Sequence, residues 1–189
     1  MLGRVVVGVD GSKGSLQALH WALREAQLRG ATVHAVLAWQ FHPSWSDSGL
    51  GRMFPTDFGS GIGDASGMPA PLESDDLAPG APESGVRGSS RRIAAEEFVT
   101  NVLDVAIAEA LAGSGDVASY PGVTITQQVV EGHAAQVLLD AVAGSDLLVV
   151  GSRGHGEFAG ALLGSISQHV VSHAPCPVVV VPDQRAHGG

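Results

Sequence analysis

The strongest constraint on the fold is an alternation of short apolar runs with segments of helical periodicity. Three of the runs, at residues 5–7, 147–150 and 178–181, consist of valine and leucine alone. Such runs are typical of strands in a parallel sheet that is covered on both faces. Strands that alternate with helices pair in parallel through right-handed crossovers. The pattern therefore predicts an α/β domain with an open five-stranded parallel sheet and helices on both faces.

Apolar runs and helical spacing place the individual elements along the chain. The predicted strands are residues 4–9, 32–39, 123–130, 147–150 and 177–181. The predicted helices are residues 15–29, 91–111, 134–142 and 165–173. Between the second strand and the second helix, residues 42–90 are rich in Gly, Pro and Ser and show no sustained periodicity. That composition predicts a long, largely mobile insert within a single domain spanning residues 1–189.

A spaced glycine array follows the fourth predicted strand. It reads Gly151-Ser-Arg153-Gly154, then nine residues, then Gly164-Ser165, and a predicted helix begins there. Glycines allow close approach of a ligand, and the backbone N–H groups of such a loop, together with the helix N-terminus, form a site suited to phosphate. A flexible surface loop with no ligand is the alternative that spacing alone leaves open.

Three predicted strands end at one edge of the sheet in residues that could form a ligand site. Asp10 follows the first strand, Ala38 and Trp39 end the second, and Gly151 follows the fourth. Ligands of open α/β sheets bind outside the carboxyl ends of the strands, where the strand order reverses. We therefore expect these residues to lie on the same rim.

Composition narrows the possible partners. The chain has 10 basic and 19 acidic residues, a net charge of −9, and its only basic pair is Arg91-Arg92. This excludes the basic surface that non-specific nucleic-acid binding requires. No apolar run approaches the roughly 20 residues of a membrane helix, and the N-terminus has no pattern of a signal peptide. We therefore expect a cytoplasmic protein that associates with neither nucleic acid nor membrane, in which Cys176 is a structural thiol.

Taken together, these segments resemble the universal stress protein family over residues 1–41 and 91–183. The opening Val5-Val-Val-Gly-Val-Asp10-Gly-Ser12 is similar to the first strand and acidic turn of that family. The array Gly151-x2-Gly154-x9-Gly164-Ser165 is similar to the G-x2-G-x9-G-[ST] motif of its ATP-binding branch. The ending, residues 174–182, resembles the last strand. The resemblance implies a Rossmann-like fold of the adenine nucleotide alpha hydrolase type.

The resemblance also implies which residues bind ATP, with or without Mg²⁺. Asp10 would bind the ribose or orient a metal on the phosphates, and backbone groups of Gly8, Val9 and Ala38 would contact adenine and ribose. The phosphates would be held by Val150, Gly151, Arg153 and Gly154 on one side and by Gly164, Ser165 and Ile166 on the other. The resemblance further implies a homodimer formed by residues 178–181. The sequence names no protein partner.

Several functions remain open at this point. The leading hypothesis is a nucleotide-dependent regulatory module of the stress response. A slow ATP hydrolase or phosphotransferase is a second, although no general base other than Asp10 is near the predicted site. A cyclic AMP binder and a purely structural dimer are the others. Lys13 does not belong to a phosphate loop of the G-x4-G-K-[ST] type, and no catalytic or metal-binding residue is predicted.

Overall fold

In the computed structural model of the chain, residues 3–40, 83–112, 120–154 and 163–182 are described. Strands and helices alternate along them. In chain order they are β1 (Val5–Gly8), α1 (Lys13–Arg29), β2 (Val33–Trp39), α2 (Glu83–Ala112), β3 (Ile125–Glu131), α3 (Ala134–Ala141), β4 (Leu147–Gly151), α4 (Ser165–His173) and β5 (Val178–Val181).

The strands form one parallel five-stranded sheet in the order β3-β2-β1-β4-β5. The chain runs outward from β1 to β3 and then returns past β1 to form β4, so the strand order reverses between β1 and β4. In the strand register, Val5 of β1 pairs with Val33 of β2 on one side and with Leu147 of β4 on the other. The sheet confirms the predicted α/β architecture, and its reversal point is where such folds place a ligand.

Helices cover both faces of the sheet. One core cluster joins Val6, Val36 and Leu148 of the strands to Leu138 of α3 and Val170 of α4. Successive strand side chains point to opposite faces, so the alternate strand residues point the other way. They include Val5 and Val7, which are fully buried, and α1 packs against the strands β1 and β4. Burial on both faces is why these strands are continuous apolar runs.

The bounds of α1 follow from its end residues. The Ser12 side chain caps the N-terminus by accepting a hydrogen bond from the Ser15 N–H at 3.2 Å. Gly30 ends the helix in the left-handed region with φ of 63°, and its N–H points to the carbonyls of Ala26 and Gln27. A residue with a side chain would be strained there, so the sequence ends the helix with glycine.

Helix α2 begins earlier than the sequence predicts. The predicted start was Arg91, with a loop up to residue 90, but the helix begins at Glu83. Residues 83–90 are rich in Ser and Gly and show no apolar periodicity. Once a helix has formed, adding residues to its end requires no new nucleation and no apolar face. Apolar periodicity marks only the part of a helix that packs against the core, so it does not reveal such an extension. The rest of the predicted insert, residues 42–82, lies outside the described residues.

The chain forms two units, residues 1–40 with 98–189, and residues 41–97. In the larger unit, the later part of α2 buries the side chains of Val99, Val102 and Leu103. In the smaller unit, the described residues are those of α2 up to Glu97. The prediction of a single domain over residues 1–189 stays a prediction.

An ion pair fixes the start of β1 against the turn before β4. The Arg4 guanidinium donates to the buried Asp146 carboxylate at 2.8 Å, and the backbone N–H groups of Arg4 and Ala143 donate to it at 2.9 Å each. Burial alone would raise the pKa of Asp146, but these hydrogen bonds outweigh it and hold the pKa below its ordinary value. The carboxylate therefore stabilises the pairing of β1 with β4 as an anion.

Candidate functional site

A cleft opens at the carboxyl ends of the central strands, where the strand order reverses. Its volume is about 510 Å³ including its open mouth. All the described lining residues belong to the larger unit. Among the described residues they are Gly8, Val9, Asp10, Ser15, Val36, Ala38, Ala134, Leu138, Val150, Gly151, Arg153, Gly154, Ile166 and Ser167.

One side of the cleft is apolar and is built by β2 and α3. Val36 and Ala38 lie on the face of β2 that packs toward Leu138 of α3. Gly8 completes this side, because a Cβ added to it would lie 3.1 Å from a methyl carbon of Leu138. A side chain at position 8 would therefore crowd Leu138 and narrow the cleft.

The other side of the cleft is polar and is built by the first turns of α1 and α4. Ser15 of α1 and Ile166 and Ser167 of α4 line it, and neither first turn contains an acidic residue. The N-cap residue of α4 is Gly164, which has no side chain to accept from the first N–H groups of the helix, so among the described residues no N-cap side chain competes with a ligand or water for them. Two helix N-termini on one cleft create a positive potential that favours an anion.

Close backbone packing holds α1 against the loop that follows β4. A Cβ added to Gly14 would lie 2.6 Å from the carbonyl oxygen of Arg153, and one added to Gly151 would lie 2.8 Å from the carbonyl carbon and oxygen of Gly14. Real Cβ atoms do not approach backbone atoms so closely. The two glycines therefore allow the first turn of α1 to reach the edge of the cleft.

Asp10 is held in one orientation at the base of the polar side. The Ser12 N–H and hydroxyl both donate to Asp10 Oδ1, at 3.0 and 2.6 Å. Gly11, with φ of 79°, makes the turn that brings Ser12 back to the carboxylate. A Cβ at Gly154 would overlap Asp10 Oδ2. Glycine at position 154 therefore leaves room for this second carboxylate oxygen beside the loop.

A hydrogen-bonded link joins β4, the glycine loop and α4. The Ser152 N–H donates to the Val181 carbonyl, and the Gly164 N–H donates to the Ser152 carbonyl, each at 2.7 Å. The Ser167 hydroxyl donates to the Gly151 carbonyl at 2.7 Å. These bonds fix where α4 begins relative to β4 and so position its first turn at the cleft.

The structure brings most of the sequence-predicted site residues to this cleft. Those that line it are Gly8, Val9, Asp10, Ala38, Val150, Gly151, Arg153, Gly154 and Ile166. Gly164 and Ser165 are not in the lining, although they begin α4 directly before Ile166. Asp10 and Arg153 are the only side chains with a formal charge among the described lining residues.

Sequence reasoning missed five lining residues. They are Ser15, Val36, Ala134, Leu138 and Ser167. Val36 could have been found from strand alternation, since it lies two residues before Ala38 on the same strand. Ala134 and Leu138 carry no signal in one sequence, because their place depends on how α3 packs across the sheet.

Cys176 and the two histidines of α4 are not part of this lining. Burial raises the pKa of the half-buried Cys176 thiol, so the reactive thiolate is disfavoured. The rings of His169 and His173 stack at 4.3 Å between centroids, and His173 Nδ1 is 2.8 Å from the His169 carbonyl oxygen. Within the described part of the chain, no group of three or more His, Cys, Asp or Glu residues could hold a metal ion.

Comparison with known proteins identifies the family. The family model described as "Universal stress protein family" matches residues 1–58 and 71–182, so the chain belongs to that family. Universal stress protein Rv2623 of Mycobacterium tuberculosis is 32% identical over 176 residues, which are 93% of this chain and 44% of that protein. The chain spans about half the length of the curated relatives it matches.

Solved structures share the fold of this chain. Universal stress protein UspA from Lactobacillus plantarum is 19% identical with a TM-score of 0.52, and the match covers 95% of this chain and 97% of that one. A universal stress protein solved in complex with cAMP is 23% identical with a TM-score of 0.53, covering 95% and 96%. At these identities the likeness shows the fold.

Across the described ranges, none of the helices is long and apolar enough to cross a membrane.

Proposed function

We propose that this domain binds an adenine nucleotide, ATP, and acts as a nucleotide-dependent regulatory module of the stress response. The observation that carries the proposal is the division of the cleft. Two helix N-termini without acidic residues form one side, and apolar side chains of β2 and α3 form the other. A nucleotide has the same division, since its phosphates are anionic and its base is a flat, weakly polar ring.

Each residue that the sequence predicts for the site has a role in this proposal. Gly8, Val9 and Ala38 contact the base and ribose, and Asp10 binds the ribose hydroxyls or a phosphate-bound Mg²⁺. The phosphates lie against the loop residues Val150, Gly151, Arg153 and Gly154 and against Gly164, Ser165 and Ile166 at the start of α4. Mg²⁺ is commonly held by one or two carboxylates together with substrate phosphates, so Asp10 alone suffices on the protein side.

The shape and donors of the site fit a phosphate group. Gly151 and Gly154 both line the cleft, and neither position has room for a side chain, because the Gly14 backbone and Asp10 Oδ2 occupy that space. The N-cap residue of α4, Gly164, has no side chain to accept from the first N–H groups of the helix, and a phosphate oxygen would satisfy them. Arg153 supplies a cation beside the same loop.

Two alternatives use the same cleft. Cyclic AMP has a base and one phosphate, and a protein of the same fold was solved in complex with cAMP. Slow hydrolysis or phosphoryl transfer would require a group that orients water or an acceptor, and Asp10 is the only carboxylate in the described lining. We favour a binding module, because one carboxylate already tied to Ser12 is poorly placed to act as a base.

The proposal extends to assembly and location. Residues Val178–Val181 form an edge strand of the described sheet, pair only with β4 there, and are half-buried on both faces. Pairing with a second copy would cover this apolar edge, so we propose a homodimer formed by β5. We also propose that the protein acts in the cytoplasm.

The first experiment identifies the ligand. Protein purified without added nucleotide is treated with acid, and released molecules are identified by chromatography and mass. Near-stoichiometric ATP or ADP supports the proposal, and an excess of ADP supports slow hydrolysis. If nothing is released, ATP and cAMP are titrated by calorimetry, and an absence of binding by both at micromolar concentrations refutes a nucleotide site.

A pair of glycine variants links binding to this cleft. Gly154→Val should weaken ATP binding at least tenfold, because its side chain would displace Asp10 and block the loop. Gly144→Ala is the control, since the nearest atom to its added Cβ is the Pro175 carbonyl oxygen at 3.6 Å. Equal ATP affinity of both variants, with both folded by circular dichroism, would place the ligand elsewhere.

A further inference from the structure

Two histidine rings stack on the exposed side of α4. His169 and His173 are four residues apart, a spacing that places side chains next to each other on one face of a helix. Both residues are exposed, their ring centroids are 4.3 Å apart, and the ring planes differ by 17°. The helix therefore presents two imidazoles side by side to solvent.

A backbone hydrogen bond determines which nitrogen of His173 carries a proton. Its Nδ1 lies 2.8 Å from the His169 carbonyl oxygen, and a carbonyl can only accept, so Nδ1 must donate. In the neutral ring the lone pair then belongs to Nε2, on the side of the ring away from that carbonyl. Histidines that bind metal ions have this arrangement, with one ring nitrogen donating to a carbonyl or carboxylate and the other bound to the metal.

We propose that His169 and His173 bind a divalent transition-metal cation of the Zn²⁺ type through one ring nitrogen each. Imidazole nitrogen suits Zn²⁺, Cu²⁺ and Ni²⁺, whereas Mg²⁺ and Ca²⁺ prefer oxygen ligands. Neither histidine is among the described residues that line the cleft. The inference therefore stands apart from the proposed nucleotide function, and each can fail without the other.

The spacing of the rings suits a shared cation. Zinc lies about 2.0–2.1 Å from a histidine nitrogen, so two nitrogens on a tetrahedral zinc are ~3.3 Å apart. The two exposed rings, with centroids 4.3 Å apart, can bring one nitrogen each to that separation by tilting toward each other. Since no third His, Cys, Asp or Glu residue of the described ranges joins the pair, water completes the coordination. A site with two protein ligands and open positions binds its cation reversibly.

The surroundings of the pair favour a cation. His173 is the last residue of α4, and the C-terminal end of a helix carries the negative end of its dipole. The helix contains no Lys or Arg that would repel a cation, and the whole chain has a net charge of −9. A helix of nine residues is also marginal by itself. A cation that joins two of its turns should therefore stabilise it.

Calorimetric titration of Zn²⁺ into the full chain, without nucleotide and without a histidine tag, tests the site. The wild type should bind Zn²⁺ at micromolar concentrations. His169→Ala and His173→Ala should each weaken this binding at least tenfold, because loss of either ligand ends chelation. The double variant should lose no more affinity than either single variant, since ligands that act together give non-additive losses.

Two matched controls separate a paired site from the histidine content of the chain. Adding Val171→His to His173→Ala keeps the number of histidines but places them two residues apart, where side chains do not face each other. Val171 is 49% exposed, so the helix accepts the change, and Zn²⁺ affinity should stay at the level of His173→Ala. His34→Ala removes a histidine whose ring contacts Thr126 and Gln128 and should leave the wild-type affinity unchanged.

Thermal unfolding gives a second measurement. A ligand that binds only the folded chain stabilises it, so increasing Zn²⁺ should raise the Tm of the wild type but not that of the double variant, whereas Mg²⁺ should act alike on both. Non-additive losses of affinity, in variants that circular dichroism shows to be folded, support the proposal. Absence of zinc binding by the wild type, equal affinity of the wild type and the double variant, additive losses, or recovery of binding by Val171→His overturns it, whether or not the chain binds ATP.

Discussion

Replacing Gly151 by alanine tests whether close backbone packing builds the polar side of the cleft. The added Cβ would lie 2.8 Å from both the carbonyl carbon and oxygen of Gly14, and 3.1 Å from the carbonyl oxygen of Arg153. Carbon atoms in contact stay roughly 3.5 Å apart or more. The first turn of α1 must therefore move away from β4, since no flexible side chain can yield instead.

The expected cost follows from that displacement. Overpacking a close-packed interior costs about 1–3 kcal/mol, and backbone on both sides of the new methyl group puts Gly151→Ala at the upper end. Alanine recovers about 0.5–1 kcal/mol relative to glycine within a strand. We expect a net loss of about 2 kcal/mol in the free energy of unfolding. For a chain of this size that lowers Tm by about 4–8 °C.

Thermal and denaturant unfolding of Gly151→Ala beside Gly144→Ala measures this loss. The control adds the same methyl group where the nearest atom lies 3.6 Å away, and should unfold within about 0.5 kcal/mol of the wild type. ATP affinity should also fall in Gly151→Ala, because the Gly14 and Arg153 backbone moves. If the two variants are equally stable and bind ATP equally, contact of α1 with the loop does not shape the cleft.

Two further predictions concern the ion pair and the apolar side. Hydrogen bonds from Arg4 and Ala143 hold the pKa of buried Asp146 below its ordinary 3.8 in the folded state. The stability that the carboxylate contributes is therefore complete above about pH 4 and is lost as the pH falls through the pKa of the folded state. Asp146→Asn should cost about 1–3 kcal/mol at pH 7, and a gap in unfolding free energy that does not shrink in acid would contradict this. Leu138→Ala should lower the free energy of unfolding by about 2–5 kcal/mol. Gly8→Ala alone should be destabilising, because its Cβ would lie 3.1 Å from a methyl carbon of Leu138. In the Leu138→Ala background the same substitution should be neutral or stabilising. Additive free energies in that double-mutant cycle would show that the two positions do not interact.

The sequence predicts the sheet well, because its strands are buried on both faces. The apolar runs at residues 5–7, 147–150 and 178–181 all fall in strands. Helix α4 has the predicted bounds of residues 165–173, since a glycine and a serine precede an apolar stripe there. Local patterns suffice where burial and end residues alone determine an element.

The cleft is less visible in the sequence, because distant residues form it. Gly14 reads as an ordinary glycine in a first helical turn, and only its 2.6 Å approach to the Arg153 carbonyl explains why no side chain fits. Leu138 and Ala134 reach the cleft through the packing of α3 against β2. The start of α2 was missed for another reason, since residues 83–90 carry no periodic apolar signal.

The two sides of the cleft differ in how they can change. Backbone contacts position the polar side, with Gly14 packed against Gly151 and α4 fixed through Ser152 and Gly164, so larger residues at these glycines would move a helix. Side chains form the apolar side, among them those of Val36 and Leu138. Substitutions there would alter the shape and polarity of the apolar side while α1 and α4 keep their positions. If the cleft binds a nucleotide as proposed, the fold itself constrains the side that would hold the phosphates, and the few side chains of β2 and α3 would determine the fit of the base.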